Sequence, residues 1–255
     1  NKYEDAIKYF KKTIELNPKY HFGYNNLGNV FLKQDKLVEA LNCYENAIKI
    51  KSDYYEAYHN KGNVLTKMDD KKNALDSYDK AIKIKNDYLP SLKARNSFYI
   101  NEKKHSLAIA ELDKLMIYEP NNIELYIQKA DILTEIGKHQ ESIEYYQTAY
   151  NMDQNHKFLI GDLIHTKSKI CDWENIDDQI KKLKTKILNQ DKASAPFTAT
   201  TLFDSPNLIF KVAKIWESGF KSKKDFTQKY INKDKKKIKI GYYSADFRTH
   251  AMGHL

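Results

Sequence analysis

The chain has 255 residues, of which 30% are charged and 41% hydrophobic, enough for one or two domains with a real core. No apolar run approaches the ~20 residues needed to span a bilayer, and two distant cysteines exclude a disulfide framework, so a reducing, cytoplasmic setting is expected. The net charge of +9 is spread over segments that mix Lys with Glu and Asp, which reads as solvated faces; no nucleic-acid or membrane partner is expected.

Residues 1–20 carry Tyr3, Ala6, Phe10 and Pro18 at the spacing of a helix and its terminating turn. From His21 the sequence repeats itself every 34 residues. Tyr24, Tyr58, Leu92 and Tyr126 share one register position, and Gly28, Gly62, Asn96 and Ala130 share another. Phe31, Leu65, Tyr99 and Leu133 form a third, and Ala40, Ala74, Ala108 and Ser142 a fourth. Tyr44, Tyr78, Leu112 and Tyr146 follow, then Ala47, Ala81, Leu115 and Ala149. Small residues belong where the two helices of a unit cross closely or where the next unit presses in, and aromatic rings fill the space between.

The 34-residue period and these residue types match the tetratricopeptide repeat, so residues 1–156 are expected to form an α-solenoid of stacked helical hairpins. Residues 1–20 then supply the second helix of an earlier unit, and the chain is expected to be a fragment at both ends. Residues 157–190 read as a degenerate capping repeat: one helix with Ile160, Leu163 and Ile164 on a face, an Asp172–Trp173 break, and a second with Ile176, Ile180, Leu183 and Ile187 inward. Cys171 and Trp173 are expected to pack, as is Cys43 beside Tyr44. Residues 191–236 read as a linker with one helix, opened at Asp204-Ser205-Pro206 and presenting Leu208, Val212, Ile215 and Trp216. Residues 237–255 begin with the alternating strand-like run Ile238-Lys-Ile-Gly-Tyr-Tyr243, followed by a polar turn.

Three segments carry a resemblance to glycosyltransferase family 41, the O-linked N-acetylglucosamine transferases and SPINDLY-type proteins. They are Leu163-Ile-His-Thr-Lys-Ser-Lys-Ile-Cys-Asp-Trp173, the stretch from Ala195-Pro-Phe197 to Asp204-Ser-Pro206, and Ile240-Gly-Tyr-Tyr-Ser-Ala-Asp-Phe-Arg-Thr-His-Ala-Met-Gly-His-Leu255. The resemblance implies that residues 237–255 are the first strand and turn of a Rossmann-like (GT-B) catalytic lobe. It implies inverting transfer of a sugar from UDP-N-acetylglucosamine or GDP-fucose to Ser or Thr of proteins, with no cofactor or metal. His250 falls where the family places an active-site histidine, suited to polarising the acceptor hydroxyl. His254 matches a second family histidine and is expected to cap or pack a helix. The lobe that binds the nucleotide lies outside these residues, so the fragment itself is expected to be inactive. Thr249 and Ala251 depart from the family pattern around His250.

Each unit's first helix should line the concave face of a superhelix. One register position there reads Asn26, Asn60, Ala94 and Gln128. A carboxamide offers donor and acceptor together and can grip a peptide main chain without reading its side chains. The family resemblance implies that Asn at this position holds protein substrates; Asn26 and Asn60 match, Gln128 can substitute, and Ala94 interrupts the row. The alternative is a scaffold that binds partner proteins and performs no chemistry.

Overall fold

In the computed structural model, residues 2–218 are described, and they contain thirteen helices and no strand. The strand expected at 238–243 and His250 lie outside the described residues. After α1 (Lys2–Leu16) the helices follow as antiparallel pairs: α2 (His21–Lys33) with α3 (Leu37–Ile50), and α4 (Tyr55–Lys67) with α5 (Lys71–Ile84). Next come α6 (Leu89–Asn101) with α7 (His105–Tyr118), and α8 (Ile123–Glu135) with α9 (His139–Met152). The array closes with α10 (Leu159–Lys169), α11 (Ile176–Leu188), the short α12 (Pro196–Leu202) and α13 (Pro206–Glu217).

The turn inside each pair is built the same way. Asp35, Asp69, Lys103, Gly137 and Cys171, spaced by one period, all have φ between 52° and 80°. The next residue's N–H reaches back five positions to the carbonyl of Phe31, Leu65, Tyr99, Leu133 or Lys167, at 2.8–3.1 Å. This is a Schellman ending, in which one left-handed residue lets the chain cap its own last carbonyls and reverse. Only one of the five is glycine, so the turn is recognisable by position and not by residue type.

Helix crossing explains the glycines. A Cβ on Gly28 would lie 2.7 Å from Tyr44 Cε1, and one on Gly62 would lie 2.5 Å from Tyr78 Cε1. Both tyrosines are buried, and each phenol donates back across the pair: Tyr44 to Asn29 Oδ1 at 2.8 Å, Tyr78 to Asn63 Oδ1 at 2.9 Å. Tyr146 makes the same clamp to Asp131 Oδ1 at 2.5 Å. In the α6–α7 pair the glycine becomes Asn96 and the ring becomes Leu112, so the clamp is gone. A bidentate ion pair replaces it: Arg95 Nη2 donates to both Glu111 oxygens at 2.8 and 2.9 Å, while Nη1 reaches Asp79 of the preceding unit at 2.6 Å.

That last contact belongs to a rail between units. Lys61 pairs with Glu45 at 2.7 Å, Arg95 with Asp79, and Lys129 with Asp113, each cation reaching 16 residues back to the previous unit's second helix. Ala40, Ala74, Ala108, Ala47, Ala81 and Ala149 are fully buried between units, where any larger side chain would push the helices apart.

The end of the array is sealed by its own connector. Lys192 and Ala193 carbonyls accept from the N–H groups of Phe158 (2.6 Å) and Gly161 (3.1 Å), two of the free donors at the start of α10. A Cβ on Gly161 would sit 2.9 Å from the Ala193 carbonyl, so only glycine permits this seating. Ile160, Ile164, Leu183, Ile187, Ala199, Phe203 and Val212 share one core, which packs α12 and α13 onto the α10–α11 pair. Within 191–236, α12 is a helix additional to the one expected. Two packing expectations are corrected: Cys171 is exposed because it is itself the left-handed residue of the turn, and Trp173, two residues on, is 58% exposed. Cys43 is buried, and burial pushes its thiol up to about 11, leaving it an inert apolar filler.

Candidate functional site

The first helices of the units carry the row of carboxamides read from the sequence, each of them partly buried. Asn26 stands on α2, Asn60 on α4 and Gln128 on α8, at one register position. Two of the three are engaged on one side only. Asn60 Nδ2 donates to Asn25 Oδ1 of the preceding unit at 2.9 Å, which leaves its own oxygen without a partner among the described residues. Gln128 Oε1 accepts from Asn96 Nδ2 of the preceding unit at 3.2 Å, which leaves its NH₂ free in the same sense. Asn26 has no side-chain partner among the described residues. The row therefore offers both functions at Asn26, an acceptor at Asn60 and a donor at Gln128, with Ala94 silent between the last two. The stitches to neighbouring units hold Asn60 and Gln128, so these two amides are oriented before any ligand arrives.

The fifth member of the row is Asp162 on α10, which sequence reasoning did not single out. Burial, reinforced by the nearby Asp131 carboxylate, pushes its carboxyl up to about 7 against the opposing effect of the Thr198 hydroxyl. Asp131 is itself pushed up because the groove walls strip solvent from it, although its surface still meets water and the Tyr146 phenol donates to it. Both shifts favour the uncharged acid in the folded state. For Asp162 the stabilising contribution is therefore complete below its ordinary value of 3.8 and is lost progressively as pH rises to its folded-state value of about 7. Asp162→Asn should accordingly melt several degrees above the native protein at about pH 8 and nearly with it at about pH 4, near the ordinary value of the carboxyl. A melting difference that stays flat between those two pH values would remove the charge-pair account.

A second group missed in the sequence is His59, on α4. The Tyr78 phenol occupies Asn63 Oδ1, so Asn63 Nδ2 faces His59 Nε2 at 3.0 Å and the ring nitrogen must accept. The ring proton then sits on Nδ1 and donates to Ser91 Oγ at 3.1 Å. Burial lowers the pKa of this histidine, in keeping with a neutral ring that links the second unit to the third. No short motif marks either residue, because both sites are assembled across units and leave no local spacing to find. Among the described residues no group of His, Cys, Asp and Glu is placed to hold a metal ion, and no helix is long and apolar enough to cross a membrane.

A run of antiparallel helix pairs that stack in series and carry an open row of amides defines an α-solenoid, an architecture suited to binding other chains. Families of the tetratricopeptide repeat match residues 9–42, 28–69, 55–88 and 123–156. The α6–α7 unit lies between these matches, and it is the one that has exchanged Gly and Tyr for Asn96 and Leu112. Among solved structures, the chain is similar to YrrB, described as a TPR protein with an unusual peptide-binding site (TM-score 0.59, 20% identity, 80% of this chain and 97% of that one). It is also similar to MamA from Desulfovibrio magneticus RS-1 (TM-score 0.57, 18% identity, 67% and 97%). A tetratricopeptide repeat protein from Parabacteroides merdae ATCC 43184 has a TM-score of 0.56 at 15% identity, covering 84% of this chain and 92% of that one. At these identities the likeness is one of fold. No curated protein matches the chain. The matched repeats support a protein-interaction scaffold and carry no sign of sugar transfer.

Proposed function

We propose that the solenoid binds extended segments of partner proteins along its inner groove, holding their main chain through Asn26, Asn60 and Gln128. The observation that carries this reading is the spare hydrogen-bonding capacity of the row: Asn60 and Gln128 are each engaged on one side only, and Asn26 has no side-chain partner among the described residues. Recognition of this kind is tolerant of sequence, because every peptide unit offers the same N–H and C=O. The YrrB structure, described as having a peptide-binding site, is in accord with it.

Each lost main-chain hydrogen bond should cost on the order of 1 kcal/mol of binding. Asn26→Ala with Gln128→Ala should thus weaken binding of an extended peptide by roughly 10-fold or more. Asn26→Ala alone should leave the melting temperature unchanged, whereas Asn60→Ala should lower it slightly through loss of the Asn25 stitch. Isothermal titration with the same peptide checks the affinity and thermal melts check the stability, and unaltered affinity in the double variant removes the amide row from the reading.

A second reading rests on the sequence of residues 240–255: the solenoid presents acceptor proteins to a glycosyltransferase lobe of the O-linked N-acetylglucosamine transferase or SPINDLY type. His250 would then stand at the reacting hydroxyl, with UDP-N-acetylglucosamine or GDP-fucose as donor. In a protein that carries the complete catalytic region, His250→Ala should lower turnover roughly a hundredfold, the scale of a lost acid–base or positioning group, with little change in donor affinity. Wild-type turnover in that variant would leave His250 without a catalytic role.

A further inference from the structure

The interruption at Ala94 is not simply a gap in the amide row. It opens a pocket of about 420 Å³ between α4 and α6, lined by Thr66, Tyr78, Ala94, Ser97, Phe98 and Asn101, with Asp69, Lys71 and Glu102 at its edge. Two small residues make the space. Ala94 stands where the other units place Asn26, Asn60, Gln128 and Asp162, and Ser97 stands where they place Asn29, Asn63, Asp131 and His165. Tyr78 is held in place by Asn63 at 2.9 Å and Thr66 at 3.0 Å, so its ring is a fixed wall. Phe98 supplies a second aromatic wall, half-buried on α6. The Lys71–Glu102 ion pair, 2.9 Å long, crosses the rim and joins the two units at the mouth.

We infer that this pocket receives one large aromatic side chain of the peptide whose main chain the amide row holds, and so gives an otherwise tolerant groove a single preferred residue. The inference rests on the main-chain reading above. The position argues for it. Asn60 and Gln128 flank Ala94 in the same row, so an extended chain held by both passes over the opening, and alternate residues of an extended chain point toward one side. The chemistry of the walls argues for an aromatic occupant over an aliphatic one. Two ring faces favour edge and offset contacts with a third ring, and the Ser97 and Asn101 side chains can satisfy a phenol or indole N–H at the pocket's polar side. The ion pair at the rim disfavours a charged occupant, which would have to compete with an existing partner.

A positional-scanning library of extended Ser/Gly-rich peptides, read by fluorescence polarisation, tests this. The native protein should favour Phe, Tyr or Trp over Ala at one position by about 5- to 10-fold, the scale of partial burial of a ring. Ala94→Asn, which completes the amide row, and Ser97→Leu, which fills the opening from an exposed position, should each abolish that preference. Binding of the featureless Ser/Gly peptide should survive in both variants. Absence of any positional preference in the native protein, or an aromatic preference that persists in both variants, overturns the pocket and leaves the main-chain reading standing. Failure of every library peptide to bind overturns the main-chain reading and the pocket together.

Discussion

Gly62→Ala should destabilise the protein by about 2–3 kcal/mol, the cost of overpacking a tight core site. An exposed helical position would show the opposite sign, since alanine is favoured over glycine by roughly 0.5–1 kcal/mol there. The sign turns on one ring. The added methyl would meet Tyr78 Cε1 at 2.5 Å, and Tyr78 is 3% exposed with its phenol committed to Asn63, so it cannot swing clear. The unit formed by α6 and α7 indicates the remedy, because there a larger residue, Asn96, coexists with a smaller partner, Leu112. In a Tyr78→Leu background Gly62→Ala should therefore become neutral or mildly stabilising. Urea denaturation of the four proteins in this cycle measures the coupling, and a cost for Gly62→Ala that is the same in both backgrounds would exclude the ring as its cause.

Arg95→Met should be the most damaging single change to the middle of the array, with an expected loss of about 3–5 kcal/mol. The Glu111 side chain is 4% exposed, and removing its bidentate partner leaves a carboxylate that has little access to water and only the longer Lys114 contact, 3.9 Å. The same guanidinium also ties Asp79 of the preceding unit at 2.6 Å, so one substitution loosens the pair and the joint before it. Methionine keeps most of the side-chain volume, which separates the charge from the packing. Adding Glu111→Gln should recover a large part of the loss, since a neutral amide is far less costly to leave in that place. Thermal melts that place Arg95→Met within a degree of the native protein would show that the pair contributes nothing net.

Much of the helical array could be read from the chain because each unit repeats the same packing problem every 34 residues, and the answers recur as residue types. Gly28 with Tyr44 and Gly62 with Tyr78 are legible as complementary small and large residues. The turns were harder to see. Asp35, Asp69, Lys103 and Cys171 share a left-handed backbone that their side chains do not advertise, and nothing in the sequence of Trp173 shows that the turn before it leaves the ring exposed. The cations Lys61, Arg95 and Lys129 looked like ordinary solvated charge, because the acids they meet lie on another helix 16 residues earlier. The groove residues divide in the same way. Asn26, Asn60 and Gln128 share a period and could be found; His59 and Asp162 acquire their character from neighbours in adjacent units. The pocket at Ala94 was visible in the sequence only as a missing amide.

The substitution of a charge latch for a phenol latch in the α6–α7 unit has a mechanical consequence. Pulled from its two ends, a stack in which each hairpin touches only its neighbours gives way hairpin by hairpin. Opening the hairpins clamped by a tyrosine and an amide, at Tyr44 and Tyr78, exposes rings and neutral groups to water, which resists the change. Opening the Arg95–Glu111 hairpin hands two ions back to water, which solvates them strongly and offsets part of the work. Under tension the array is thus not a uniform spring: its middle coil is the fuse, and the stretches on either side remain wound after it parts.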